Sequence, residues 1–88
     1  MVERTVQIVN KQGLHARPAA EIVKIASKFA SDITIARDDL EVNGKSIMGV
    51  MMLAAECGAE LTLRATGPDA EQAVGALTDL IAARFGER

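Results

Sequence analysis

Val2-Glu3-Arg4-Thr5-Val6-Gln7-Ile8-Val9 runs through Asn10-Lys11-Gln12-Gly13 into Leu14-His15-Ala16-Arg17-Pro18, and along that stretch the hydrophobic period changes from two to between three and four. Val2, Arg4, Val6 and Ile8 alternate with Glu3, Thr5, Gln7 and Val9, which predicts a half-buried strand with Val6 and Ile8 toward the core. Asn10 to Gly13 reads as a turn. Beyond it Ala19, Ile22, Val23, Ala26 and Phe29 recur at helical spacing, predicting an amphipathic helix from about Ala16 to Phe29 with Lys24 and Lys28 on its solvent side.

Working outward, Ile33 and Ile35 mark a second strand and Leu40 and Val42 a third, with Arg37-Asp38-Asp39 as the hairpin loop and Asn43-Gly44 at its end. Leu61, Leu63 and Ala65 alternate with Glu60, Thr62 and Arg64 in a fourth strand that Gly67-Pro68-Asp69 stops. Asp69 and Gln72 have capping-box spacing for a last helix, whose buried stripe reads Ala73, Val74, Leu77, Ile81 and Phe85. The order is βαββαβα, with a short middle helix. It belongs to an α+β sandwich and not to a doubly wound sheet.

The middle helix, Ser46 to Leu53, breaks the two-faced pattern. At about 100° per residue, Ile47, Met48, Met51 and Met52 share one arc while Val50 and Leu53 lie opposite. Either the helix is sunk in the core or one face is a docking patch, and the adaptable methionine side chains favour the patch. Ser46 heads this helix as its N-cap, a role worth about 1 kcal/mol over alanine.

A chain of 88 residues makes one small domain, residues 1 to 88, that buries roughly 60 to 65% of its unfolded surface. Apolar residues are 49% and charged residues 25% of the chain, as in ordinary globular proteins. The first residues form no signal-like segment and no apolar run reaches membrane-spanning length, so a cytoplasmic protein with no membrane partner is expected. A net charge of −2 with two aromatic residues argues against nucleic acid as a partner. Cys57 is the only cysteine, so no internal disulfide is possible. With one histidine in the chain a Cys/His metal site lacks ligands, and no metal or other cofactor is expected. Cys57 is expected to be a buried or semi-buried small hydrophobe.

His15 stands where strand pattern gives way to helix pattern. Near an N-cap, the N–H groups of Ala16 and Arg17 lack intrahelical acceptors and point at whatever sits on the ring. Pro18 fits only a first helical turn, so it fixes the start to within one or two residues. A phosphoryl group on His15 would meet those two donors, the positive helix end and the guanidinium of Arg17. No nucleophile–base pair, paired acids or phosphate-binding glycine loop is visible, so an enzyme is the least favoured class.

Gly13-Leu14-His15-Ala16-Arg17-Pro18-Ala19 resembles the active-site signature of the HPr family, the histidine-containing phosphocarriers of the bacterial phosphoenolpyruvate-dependent phosphotransferase system. Asn43-Gly44-Lys45-Ser46-Ile47-Met48-Gly49-Val50-Met51 resembles that family's regulatory-serine segment. The resemblance covers the whole chain. It implies an open-faced β-sandwich, with a four-stranded antiparallel sheet and three helices on one face. It further implies that Nδ1 of His15 takes a phosphoryl group from enzyme I and passes it to an EIIA-type domain, with Arg17 steadying the phosphate. Ser46 would be the target of an HPr kinase/phosphorylase. The start of the first helix and the middle helix would form one docking patch, Ala16, Ala20, Ile47, Met48 and Met51 rimmed by Arg17, Lys24 and Lys45. Ser27 and Gly49 stand where some relatives carry basic residues, which would weaken binding to a standard EIIA. A monomer is expected, since a large stable dimer would bury the patch. Two alternatives stand beside the carrier: a regulatory HPr-like protein whose phosphorylation state is read by sensors without sugar transport, and an interaction module in which His15 is only a cap.

Overall fold

The computed structural model describes residues 1–87. Its elements are β1 (Val2–Gln7), α1 (Ala16–Ala26), β2 (Asp32–Arg37), β3 (Leu40–Asn43), α2 (Ile47–Met52), β4 (Glu60–Thr66) and α3 (Ala70–Ala82), followed by a short turn, Arg84–Gly86. The strands form one antiparallel sheet in the order β1-β4-β2-β3, with the helices covering one face. This is the expected α+β open sandwich.

Register explains which side is covered. Val6 pairs with Leu61, and Leu63 with Ile35, which in turn pairs with Val42. These residues therefore line up on one face, where Leu61, Leu63 and Ile35 are almost wholly buried. Ile8, just past β1, is fully buried and joins them, whereas Val6 is half-buried. Above them lie Ala19, Ile22 and Ala26 of α1, Val50 of α2, and Ala73, Val74, Leu77 and Ile81 of α3. On the open face Arg64 of β4 reaches both ways, to Glu3 of β1 at 3.0 Å and to Glu41 of β3 at 2.6 Å. These exposed pairs hold cross-strand order more than they add stability.

Four sequence expectations are corrected. α1 ends at Ala26, not near Phe29; Phe29 stays half-buried against the core from a turn beyond the helix. Phe85 is buried, but not on α3, which stops at Ala82; Arg84 and Phe85 take φ of 59° and 56°, and the reversal tucks the ring back in. Cys57 is exposed, because Ala55 and Ala59 take the inward positions of its loop. Asp69 is the N-cap of α3, yet its carboxylate makes no cap hydrogen bond.

The Asp69 carboxylate instead ties α3 to the loop after α1. It accepts from the Ser31 hydroxyl, from the Ala30 N–H at 2.9 Å and from the Ser31 N–H at 3.0 Å. The Ser31 hydroxyl, then the Ala30 amide, hold the carboxyl below the ordinary aspartate range. A depressed folded-state value means stability present above the unfolded value near pH 4 and lost as pH falls through the lower, folded one. Asp69→Asn is expected to flatten that acid limb: urea unfolding between pH 2 and pH 5 should show less pH dependence in the variant than in the wild type. Parallel acid limbs would assign the loss to other carboxylates.

Candidate functional site

The loop before α1 is fastened at several points. Asn10 O accepts from the Gly13 N–H at 3.1 Å, and the Leu14 N–H donates to Ala55 O at 2.8 Å, so Leu14 is buried. Gly13 has φ +68°, and a Cβ there would lie 2.5 Å from Ala55 O and 2.9 Å from the Glu56 Cα. Both obstacles are backbone and cannot swing aside. Gly13→Ala is therefore expected to cost about 2 to 4 kcal/mol of unfolding free energy, read as a lower urea midpoint. An unchanged midpoint would mean that the Ala55–Glu56 backbone yields freely.

His15 is the N-cap of α1, in extended conformation, and its carbonyl accepts from the Ala19 N–H at 3.0 Å. Its side chain makes no cap hydrogen bond, and among the described residues no backbone acceptor takes the N–H of Ala16 or Arg17. Pro18 occupies the third helical position, buried, where its missing N–H leaves nothing unsatisfied. The imidazole is about a third exposed at the edge of an open cleft of about 630 Å³, lined by Lys11, Gln12, His15, Ala16, Arg17 and Glu87. The helix dipole, Lys11 and Arg17 bring positive charge to this cleft. Glu87 brings a negative group, its Oε2 2.7 Å from His15 Nε2.

The second expected site also forms. Ser46 caps α2, its hydroxyl accepting from the Gly49 N–H at 3.1 Å. Val50 and Leu53 are buried, while Ile47, Met48, Met51 and Met52 are exposed, Met48 to 78%. The two-faced apolar helix thus turns one face inward and leaves the methionine arc open. Ala16, Ala20 and Lys24 are exposed on α1, which packs against α2. Lys45 differs from a free rim charge: its Nζ donates to Phe29 O at 2.8 Å, binding the start of α2 to the loop after α1.

Lys11, Gln12, Asn10 and Glu87 were not singled out by sequence. Glu87 lies 72 residues from its partner His15, and no local period marks such a contact. Asn10 reads as an ordinary turn residue, although it is 1% exposed.

With this geometry in place, residues 2–83 match the family described as PTS HPr component phosphorylation site. The chain belongs to the HPr family of phosphocarriers. The HPr of Treponema pallidum (strain Nichols) is 52% identical over 87 residues, covering 99% of each chain. A solved structure of HPr-C-His from Thermoanaerobacter tengcongensis superimposes with a TM-score of 0.96 at 52% identity, covering 100% of this chain and 99% of that one. A structure described as an HPr dimer from the same organism has a TM-score of 0.80 at 53% identity, covering 99% of this chain and 100% of that one. As in that family, the fold is a phosphocarrier's. Among the described residues, no helix is long and apolar enough to cross a membrane, and no group of three His, Cys, Asp or Glu is placed to hold a metal ion.

Proposed function

We propose that this protein carries a phosphoryl group on His15 between two partner proteins, enzyme I as donor and an EIIA-type domain as acceptor. The observation that carries the reading is the N-cap position of His15, with the Ala16 and Arg17 N–H groups unclaimed among the described residues and the ring open to solvent. Nε2 is already engaged by Glu87, so Nδ1 is the ring atom left for the phosphorus. In the transfer the Nδ1 lone pair forms the new P–N bond while the bond from phosphorus to the donor breaks and its electron pair leaves with the donor atom. The Ala16 and Arg17 amides, the helix dipole and the guanidinium of Arg17 then meet the phosphoryl oxygens. They are exposed and screened, so they steady the group without trapping it. Transferase chemistry stays with the partners, which supply in-line geometry and close the cleft to water.

Docking falls to Ala16, Ala20, Ile47, Met48 and Met51, an apolar centre with Arg17 and Lys24 at its edge, suited to a partner with an acidic rim. Lys45 contributes mainly by holding α2 in place. Ser46 is proposed as the site where an HPr kinase/phosphorylase switches the patch off. The working unit is proposed to be a cytoplasmic monomer, since pairing through the methionine arc would hide it. One experiment tests the chain of transfer: incubate the protein with phosphoenolpyruvate and enzyme I, then add an EIIA domain, and follow phosphate on each by intact mass. Appearance on this chain and then on EIIA is expected. Appearance with no onward transfer would favour a regulatory protein whose state is read by sensors, and no appearance would reduce His15 to a helix cap.

A further inference from the structure

Asn10 and His15 of the loop before α1 meet Glu87, from beyond α3, behind the imidazole. The Asn10 amide is 1% exposed, and its Nδ2 donates to Gly13 O at 2.8 Å and to Glu87 Oε1 at 2.9 Å. Among the described residues its own Oδ1 has no hydrogen-bond partner. Turning the amide over would set that oxygen against a carbonyl and a carboxylate, so the two acceptors fix its orientation, and the unpaired oxygen is the cost. Glu87 reaches the site through an unusual path. Arg84, Phe85 and Gly86 all have positive φ, 59°, 56° and 77°, and the buried Phe85 ring anchors the reversal. Two consecutive left-handed non-glycine residues cost about 1 kcal/mol or more each. A buried amide left one bond short and a strained turn both serve to bring one carboxylate to Nε2.

We propose that Asn10 and Glu87 are positioning residues that keep the proton of His15 on Nε2 and thereby select Nδ1 as the atom that takes the phosphoryl group. The inference rests on the carrier reading above and assigns the device that sets its nucleophile. An ionised carboxylate only accepts hydrogen bonds. A neutral imidazole 2.7 Å from Glu87 Oε2 must donate from Nε2, which leaves the lone pair on Nδ1. When Nδ1 bonds to phosphorus and the donor's bond to phosphorus breaks, the Nε2 proton stays. The phosphorylated ring is then a cation, and the carboxylate opposes its charge. At the next transfer the electrons of the Nδ1–P bond return to the ring, which leaves as neutral imidazole already in the starting tautomer.

The test is the nitrogen-15 spectrum of the imidazole in the full chain with the ring neutral, in wild type, Glu87→Gln and Asn10→Asp. Wild type is expected to show mainly protonated Nε2. Glu87→Gln offers both a donor and an acceptor to Nε2, so both tautomers should be populated, and transfer from enzyme I should slow by about tenfold, the lower end of what loss of a group behind a metal-bound histidine costs. Asn10→Asp removes the donors that hold Glu87 and sets a like charge beside it, so the same drift should follow with His15 and Glu87 intact. Should the buried Asn10→Asp change prevent folding, Glu87→Gln decides alone. Protonated Nδ1 in the wild type, or an unaltered tautomer in Glu87→Gln, overturns the assignment, whatever the rates. A wild type that takes no phosphoryl group at all overturns the carrier reading beneath it, which the mass measurement distinguishes.

Discussion

His15→Ala is expected to abolish phosphoryl acceptance while leaving the fold standing. Wild type incubated with phosphoenolpyruvate and enzyme I should gain one phosphoryl group that acid removes, and the variant should gain none. Alanine offers no lone pair to phosphorus, so the loss is one of chemistry and no compensating contact can restore it. The structure says why the fold should survive. The cap function of His15 runs through its backbone carbonyl, which accepts from Ala19, and its side chain makes no cap bond. The ring is about a third exposed and fills no core position. The change in unfolding free energy should stay within about 1 kcal/mol, checked by urea unfolding. A variant that still gained an acid-labile group would place the acceptor on another residue. A variant that unfolded would leave the mass result uninformative, and His15→Gln, with a similar span, would then replace it.

Ser46→Asp is expected to slow acceptance from enzyme I by about tenfold or more, a penalty of about 1.4 kcal/mol, without weakening α2. Aspartate is as good an N-cap as serine and its charge suits a helix N-terminus. The helix is therefore not the target. What changes is the surface beside the exposed Ile47, Met48 and Met51, where a negative charge would face the acidic rim proposed for a docking partner. Two controls separate repulsion from shape. Ser46→Asn keeps cap and volume without the charge and should transfer nearly as fast as wild type. The Ser46→Asp deficit should shrink in about 1 M salt, where the screening length is about 3 Å. If Ser46→Asn were as slow as Ser46→Asp, the hydroxyl itself would be the contact. If neither were slow, Ser46 would be a cap and nothing more.

Some of this was legible in residue order and some was not, and the division follows range. Period-two alternation at Leu61, Leu63 and Ala65 marked β4 to within a residue, because every second side chain there meets the same buried face. On α2 the adaptable methionines favoured an open face while period alone also allowed a helix sunk in the core; the seated helix turns Val50 inward and leaves the methionines exposed. Asp69 shows the same limit from another side. Its spacing to Gln72 is a local cap signal, but three donors from Ala30 and Ser31 outcompete that use once the α1–β2 loop lies alongside. Lys45 reads as a free charge for a partner until Phe29 O takes its ammonium.

By itself the sequence determined the order of elements, the α+β class, the start of α1 at His15 and the segment headed by Ser46, because each is written in residues less than about four positions apart. Only the tertiary structure decided what stands behind the imidazole. Glu87 meets His15 across 72 residues of chain, through a left-handed reversal at Arg84 and Phe85 that no propensity favours. Asn10, 1% exposed, donates to the carboxylate that this reversal brings back. Contacts of this kind arise when packing closes a long loop, and the closure is set by the whole core and not by the residues that meet.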